Sequence, residues 1–395
     1  MAKKILAFAL VLIMALSLCL VGCQDTSKNN DNDNNTNNTD TNKDNNNDKD
    51  EEQSKLKAIK AEDMKIGIIY VGPIGDLGYS YAHYQGLIKA IGELGIKEEQ
   101  VVKQENVPES AECEQVIADL VDAGCNVIYA TSFGHGEFLE KVAKEHPEVY
   151  FAHATGFLQT ENVSNYMGRV YEARYLAGIV AGMTTKSNKI GYVAAKPIAE
   201  VIRGINAFTL GVRSVNAEAT VDVKWTDTWF DEALEKATAT ELINSGCDVI
   251  AQHCDSTAPQ VAAQEAGVKA IGYNSPTADK TEGTYLTAPL FNWDVFYKRD
   301  LQNIIDGNRK GETYWEGLKA GMVALDEMTD LVTDEIKTKV EEVKTEIING
   351  KHVFAGEIKD QNGEVKVEEG KTMTDTELLN FDWFVEGVNG TIPKS

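Results

Sequence analysis

Side chains suited to holding a flat, polar ligand recur directly after the apolar runs of this sequence. Aromatic rings can stack on a planar group, while carboxylate, amide and imidazole side chains can form hydrogen bonds with its edge. The candidate residues are Asp76, Tyr79, Phe133, Phe157, Trp229, His253, Asp255, Asn274 and Trp293. The set is rich in aromatic rings and poor in nucleophile–base pairs, so it indicates ligand binding rather than catalysis.

Trp229 is the strongest single candidate. It lies in a polar segment, residues 226–231, just after a predicted strand, where an indole has no sheet face to cover. Aromatic residues are more often part of a core than of a ligand platform, but this position favours a stacking wall for a planar ring. For His253 with Asp255, ligand contact, structural pairing and catalysis all stay open.

Motifs for catalysis and for nucleotide cofactors are absent from the sequence. Gly72, Gly75 and Gly78 have the spacing G-x-x-G-x-x-G, not the G-x-G-x-x-G of dinucleotide sites, and there is no Walker A motif. Neither G-x-S-x-G nor H-E-x-x-H occurs, and no cysteines and histidines have metal-site spacing. We therefore expect no enzymatic activity, no cofactor and no metal; a secreted nucleosidase is the enzymatic alternative.

Alternating strand and helix patterns must position the candidate residues. An apolar run that opens at residues 65–67 ends in a Gly/Pro cluster and leads into a helical pattern over residues 80–94. This succession is typical of a buried strand and its βα turn in a parallel sheet. Because ligands bind beyond the carboxyl ends of such strands, the residues that follow each strand should come together.

An internal repeat predicts two similar lobes. The Lys-Ile-Gly of residues 65–67 recurs at 189–191, and the Gly-Cys-(Asn/Asp)-Val-Ile of residues 124–128 recurs at 246–250, with nearly equal offsets of 124 and 122 residues. We therefore predict an α/β fold with two doubly wound parallel-sheet lobes, a ligand cleft and a hinge between them.

The two copies differ at the turn after their first strand. The first copy carries Gly75 and Asp76 where the second carries Ala199 and Glu200. The repeated strand and turn form without an aspartate at this position in the second copy, so the Asp76 carboxylate is free to contact a ligand. We therefore expect Asp76 to serve the ligand rather than the turn.

Residues 1–22 have the pattern of a bacterial export signal, with Lys3 and Lys4 ahead of an apolar stretch and small residues before Cys23. The Leu-Val-Gly-Cys junction resembles a lipobox, which implies that Cys23 is acylated and anchors the protein to a membrane. An ordinary secretory cleavage or an uncleaved anchor is the alternative. The polar stretch that follows cannot bury enough apolar area to fold, so residues 23–60 are assigned to the acylated cysteine and a disordered tether.

Charge and cysteine content exclude some classes of partner and crosslink. The formal net charge of −24 argues against nucleic acid or an anionic membrane surface as a partner. Cys113, Cys125, Cys247 and Cys254 are scattered through the predicted lobes, so buried thiols are favoured over disulfides.

Together the motifs resemble those of a known family. The lipobox, the polar tether, the turn at residues 72–80, His-Ala-Thr-Gly-Phe at 153–157 and Tyr-Glu-Ala-Arg-Tyr-Leu-Ala-Gly at 171–178 are similar to the basic membrane protein family of ABC-transporter solute-binding lipoproteins. The resemblance covers about residues 64–325 and a short aromatic stretch at 381–387. It implies a type I periplasmic-binding-protein fold and a purine nucleoside or purine base as the ligand.

The resemblance also implies roles for individual residues. Tyr79, Asp76 and Phe133 would form the first-lobe wall, and Trp229 would be the stacking aromatic of the second lobe. Asn274 occupies the position where the nucleoside-binding branch has an aspartate that grips ribose, and Asn-Trp at 292–293 replaces that branch's Lys-Asp pair. The sequence therefore departs from the family at its ribose contacts.

These observations predict a lipid-anchored, monomeric binding protein on the extracytoplasmic face of a bacterial membrane. It would capture a purine base or nucleoside and deliver it to an ABC permease; a solute-sensing signalling lipoprotein with the same fold is the alternative. The first lobe is expected at residues 61–186 with 284–308 returning to it, the second at 187–283 with 309–360, and a packed C-terminal tail at 361–395.

Overall fold

The computed structural model describes residues 56–394, so the expected export signal, Cys23 and the tether as far as residue 55 lie outside the described residues. The strands are β1 (Ile66–Ile69), β2 (Val101–Gln104), β3 (Val127–Ala130), β4 (Tyr150–Ala154), β5 (Val163–Gly168), β6 (Lys189–Ala194), β7 (Thr220–Trp225), β8 (Val249–His253), β9 (Lys269–Ile271), β10 (Tyr285–Thr287), β11 (Pro289–Phe291), β12 (Thr313–Glu316), β13 (Val323–Leu325), β14 (Ile358–Lys359), β15 (Val365–Val367) and β16 (Val388–Asn389). The α-helices are α1 (Tyr79–Glu93), α2 (Glu112–Asp122), α3 (Gly136–Glu145), α4 (Val170–Thr184), α5 (Ala199–Val215), α6 (Glu232–Asn244), α7 (Ala258–Ala266), α8 (Trp293–Ile305), α9 (Asp334–Ile348) and α10 (Asp375–Leu379).

Two six-stranded parallel sheets form the frame. Their strand orders are β12-β5-β4-β3-β1-β2 and β10-β9-β8-β6-β7-β16. Ile66 of β1 lies opposite Val127 of β3 in the first sheet, and Ile190 of β6 lies opposite Val249 of β8 in the second. The repeated motifs thus form the same central pair of strands in both sheets. The predicted α/β fold with two parallel-sheet lobes is confirmed.

Helices cover both faces of each sheet. In the first lobe, α1 and α8 pack on one face and α2 and α3 on the other. In the second lobe, α4 and α5 cover one face and α6 and α7 the other. Double coverage explains why the central strands are nearly continuous apolar runs, since every residue of β1 and β8 is buried.

The chain passes between the sheets after β5, after β10 and after β12, and these crossings place a hinge beside the cleft. The antiparallel pair β11–β13 ties two of the crossings together. The observed pairing differs from the expected lobe boundaries, because β10 is an edge strand of the second sheet and β12 an edge strand of the first. Short edge strands carry no sequence signal for the sheet that they join, so long-range pairing decides their place.

Helices α4 and α5 cross at close range. A Cβ atom at Gly178 would overlap the carbonyl oxygen of Phe208, and one at Gly211 would overlap that of Tyr175. Only glycine allows the two backbones to approach this closely. The glycine that ends the motif at residues 171–178 therefore has a packing role.

Both ends of the described chain pack on the body. Ile59 donates its N–H to the carbonyl of Ile304 at 3.3 Å, so residues 56–60 are ordered and the tether assignment through residue 60 is corrected. At the other end, β16 extends the second sheet beside β7. The side chain of Asn206 donates to the carbonyl of Trp383 at 2.8 Å, which fixes the aromatic tail against α5.

The four cysteines of the described chain, Cys113, Cys125, Cys247 and Cys254, are buried free thiols, as the sequence predicts. Between residues 56 and 394, no helix combines the length and apolar character that crossing a bilayer requires.

Candidate functional site: a cavity between the lobes

A small cavity, with about 20 Å³ of free space, lies between the carboxyl ends of the two sheets. Loops after β1, β3 and β4 supply its first-lobe wall, and the start of α5 with the ends of β7, β8 and β9 supplies its second-lobe wall. The lining residues are Val71, Tyr79, Ser132, Phe133, Thr155, Glu200, Trp229, His253, Asp255 and Tyr273. This is the place where parallel-sheet topology puts a ligand.

Tyr79 begins α1 and forms a rigid part of the first-lobe wall. Its hydroxyl donates to the carbonyl of Thr131 at 2.6 Å, and its ring meets the ring of Trp293 edge-on at a centroid distance of 6.0 Å. Burial raises the pKa of Tyr79 well above its ordinary value. The hydroxyl therefore stays protonated and holds the ring in place.

Asp76 serves the turn rather than the cavity. Its carboxylate accepts hydrogen bonds from the backbone N–H groups of Gly78 at 2.7 Å, Ser80 at 3.0 Å and Tyr81 at 3.0 Å. These are the donors that the first turn of α1 leaves without a partner in the helix. Burial raises the pKa of Asp76 to about 6, although the three backbone bonds oppose the shift. The expectation that Asp76 serves the ligand rather than the turn is thus corrected.

His253 and Tyr273 form a polar part of the second-lobe wall. The Nε2 atom of His253 lies 3.1 Å from the Tyr273 hydroxyl, and the Arg174 guanidinium lies 3.9 Å from the centroid of the Tyr273 ring. Burial, with the positive charges of Arg174 and Arg203, lowers the pKa of His253 well below its usual range. The imidazole is therefore neutral, and its Nδ1 atom has no hydrogen-bond partner among residues 56–394.

Glu200 and Asp255 place two carboxyl groups in the same wall, and their residues are only 9% and 4% exposed. Burial raises the pKa of both groups; neighbouring carboxyl groups raise that of Asp255 further, while two buried arginines oppose the shift at Glu200. Within the described part of the chain, no group donates a hydrogen bond to either carboxyl.

Contacts across the cleft show that the lobes are closed. The indole N–H of Trp229, in the second lobe, donates to the carboxylate of Glu109, in the first lobe, at 3.2 Å. The hydroxyl of Ser275 donates to the carbonyl of Leu77 in the opposite lobe. Both bonds join residues at the edge of the cavity, so they enclose it only when the lobes meet.

Several non-glycine residues have positive φ angles beyond the carboxyl ends of strands. Leu77, Thr155, Asp227 and Asn274 have φ angles of 56°, 62°, 55° and 68°, and each lies in the loop after a strand of one of the two sheets. Positive φ is uncommon for residues other than glycine. Of these four residues, Thr155 lines the cavity, and strained positions of this kind gather at binding and active sites.

Of the nine residues predicted from the sequence, the structure brings five together in the cavity wall: Tyr79, Phe133, Trp229, His253 and Asp255. They come from four different loops of two lobes. For these five residues, the cavity lies where the rule for parallel sheets predicts a shared site.

The other four lie outside the wall. Asp76 caps its own turn, and Phe157, 80% exposed, lines a neighbouring surface groove. Trp293 is a core residue, stacked on His83 at a centroid distance of 3.9 Å. Asn274 is buried behind the wall, and its amide nitrogen and oxygen have no partners among the described residues.

Glu200 is the principal residue that the sequence-based prediction left out. The repeat contained a signal for it, because Glu200 follows the first strand of the second lobe as Asp76 follows that of the first. The asymmetry between the lobes is the opposite of the one expected: the first-lobe carboxylate caps a helix, and the second-lobe carboxyl faces the cavity.

Aromatic rings from both lobes line the cavity, with carboxyl, imidazole and hydroxyl groups between them. This arrangement suits a small, planar ligand with a polar edge. Among residues 56–394, no group of three His, Cys, Asp or Glu side chains is placed to hold a metal ion.

Residues 63–357 match the family model for PnrA-like ABC transporter substrate-binding proteins, abbreviated Bmp. The chain belongs to this family. The resemblance noted from the sequence motifs is thereby confirmed, and the family is one of binding proteins rather than enzymes.

Similar proteins match most of the chain. It is 38% identical over 334 residues to a purine-binding protein of Brucella abortus, covering 84% of this chain and 95% of the relative. It is also 38% identical to a putative ABC transporter glucose-binding protein of Haloferax volcanii, covering 85% of this chain and 83% of the relative. A solved solute-binding protein from Aeropyrum pernix shares the fold, with a TM-score of 0.66 at 22% identity over 82% of this chain and all of that one.

Proposed function

We propose that this Bmp-family protein captures a purine nucleobase or nucleoside by closing its two lobes and delivers it to an ABC permease. The observation that carries the proposal is the cavity wall itself, in which Tyr79 and Phe133 of one lobe and Trp229 and Tyr273 of the other surround polar groups. A purine has two flat faces for aromatic rings and a polar edge for hydrogen bonds. The similarity to a purine-binding protein supports the same ligand class.

Capture would work through the hinge. The ligand contacts both walls, so it binds the closed form better than the open form and shifts the equilibrium by that difference in affinity. The bonds from Trp229 to Glu109 and from Ser275 to Leu77 add to the stability of the closed form alone. The permease would then receive the ligand when the lobes reopen.

The proposal includes attachment to the extracytoplasmic face of the membrane by acylation of Cys23. The sequence before this cysteine has the lipobox pattern, and the polar segment after it would let a monomeric binding domain reach the permease. More than one acyl chain gives stable anchoring, because each buried CH₂ contributes about 0.8 kcal/mol. Replacement of Cys23 by Ser should release the protein into the medium, as measured by fractionation of the cells.

Calorimetric titration of the purified protein tests the ligand class. The panel is adenine, guanine, hypoxanthine, their ribosides and glucose, the last because a 38% identical relative is a putative glucose-binding protein. Saturable heat with at least one purine and none with glucose is expected. Binding of glucose without any purine would overturn the proposal.

A further inference from the structure

We infer that Glu200 and Asp255 are the specificity-determining residues of the cavity, and that together they accept the N–H groups of an uncharged purine. The inference rests on the proposed function, since it specifies which purines the same cavity takes. It assigns the hydrogen-bonding edge of the ligand to the second lobe, from which both carboxyl groups come.

The first step concerns unmet hydrogen bonds. Both carboxyl groups are almost wholly buried in the wall, and no group in residues 56–394 donates to them. Burying a carboxylate without donors is costly, so such groups are paired in most proteins. Other buried carboxylates of this chain follow that rule, as Asp300 does with Arg309 at 3.1 Å. The donors for Glu200 and Asp255 should therefore come from the ligand.

The second step concerns charge. None of the described cavity-lining residues is a lysine or an arginine. Neither of the nearby arginines lines the cavity: Arg174 donates to the carbonyl of Gln252 at 2.6 Å while its Nε and Nη2 atoms have no partner among residues 56–394, and Arg203 donates to the carbonyl of Leu378 at 2.6 Å. A phosphate or an anionic ring would therefore meet two carboxyl groups in the wall and no lysine or arginine among the lining residues. The cavity should admit uncharged purines with N–H donors and reject urate and nucleotides.

Isosteric substitutions test the assignment, because Glu200→Gln and Asp255→Asn keep the size of each side chain and replace one acceptor oxygen by an amide donor. Adenine and purine are matched ligands that differ only in the exocyclic amine, as are guanine and hypoxanthine. Asp248→Asn is the matched control: Asp248 lies just before β8, at the end opposite to Asp255, and its carboxylate accepts bonds from Thr185 and from the backbone of residues 186 and 187.

Titration calorimetry of the full chain in detergent measures each pair. The amine-bearing ligand should bind the unsubstituted protein at least about tenfold more tightly than its partner, as expected when a buried acceptor loses its hydrogen bond. That preference should shrink to less than about threefold in Glu200→Gln, in Asp255→Asn or in both, and should persist in Asp248→Asn. Urate and AMP should show no saturable heat.

The outcomes separate two kinds of failure. If purines bind but the amine preference is absent from the unsubstituted protein, or is unchanged in both variants, this inference is overturned while the proposed function stands. Tight binding of urate or AMP would also overturn it. If no purine binds to the folded chain, the proposed function fails and takes the inference with it. Thermal melting of each variant without ligand shows whether it is folded.

Discussion

The hydrogen bond between Trp229 and Glu109 provides a direct test of lobe closure. Glu109 is well placed to fix the closed form, because one carboxylate oxygen accepts from the Ser132 hydroxyl at 2.6 Å and the Gly134 N–H at 2.8 Å, while the other accepts from Trp229 at 3.2 Å. The first two bonds stay within one lobe, so only the third depends on closure. Trp229→Phe removes the indole N–H and keeps an aromatic ring in the wall.

The size of the effect follows from the environment of the bond. A hydrogen bond to a charged group contributes about 1.5–3 kcal/mol when buried, and both partners here are only half-buried, so a net value of about 1 kcal/mol is expected. This value corresponds to about a fivefold weaker affinity, because the bond exists only in the form that holds the ligand. Trp229→Phe also removes ring area, so the single substitution overstates the bond.

A double-mutant cycle with Trp229→Phe and Glu109→Gln isolates the pair, with adenine as the titrant at neutral pH. We expect a coupling energy of about 1 kcal/mol in ligand binding and little change in the melting temperature of the ligand-free protein. Glu114→Gln is the control, since Glu114 forms an ion pair with Lys141 on the surface of the same lobe, at 3.1 Å. The Glu114→Gln protein should bind adenine with the affinity of the unsubstituted chain. A coupling below about 0.3 kcal/mol, the limit at which sites behave as independent, would refute the role assigned to this bond.

Three further predictions concern closure, ligand size and pH. Gly78→Ala should weaken adenine binding at least about tenfold with an unchanged circular dichroism spectrum, because a Cβ atom there would overlap the carbonyl oxygen of Asp255 in the closed form; equal affinity would contradict this. Free bases should bind more tightly than their ribosides in competition titrations, since the closed cavity has only about 20 Å³ of free space and a ribose adds bulk that the closed lobes would have to accommodate; a preference for ribosides would contradict it. Burial lowers the pKa of His153 from its ordinary 6.5 to about 4, so the stabilisation by its neutral form is complete above pH 6.5 and is lost as the pH falls towards 4. His153→Gln keeps a donor for the carbonyl of Ser132, and in urea titrations it should reduce the dependence of unfolding free energy on pH in that window by up to about 1.4 kcal/mol per pH unit; an unchanged slope would contradict the assignment.

Much of the site could be predicted because parallel sheets bring the carboxyl ends of their strands to one edge. Tyr79, Phe133, Trp229 and the pair His253 and Asp255 come from four distant parts of the sequence, each at or beyond the carboxyl end of a strand, and the structure places all of them in one wall. The same rule names too many residues, however. It states where a loop begins and does not state in which direction its side chains point.

The residues that were misplaced show this limit. Asp76 is drawn back to its own turn by three backbone N–H groups, and Trp293 is held in the core by stacking with His83. Phe157 lies in the same loop as the cavity-lining Thr155, but its ring is exposed and lines a surface groove. The partners that hold Asp76 and Trp293, a set of local backbone groups and a distant ring, cannot be read from the position of a residue after a strand.

The sequence by itself determined the elements, the duplicated frame and the family, since apolar periodicity, turn residues and repeated motifs are local properties of a chain. Tertiary structure alone decided that β10 joins the second sheet and β12 the first, the reverse of the expected lobe assignment. It also decided that Glu109 contacts Trp229 across the cleft and that Glu200 rather than Asp76 faces the cavity. These outcomes depend on contacts between segments many residues apart. Their energies come from burial and hydrogen bonding in the closed protein, where a carboxyl group is held by whichever donors the fold brings within reach.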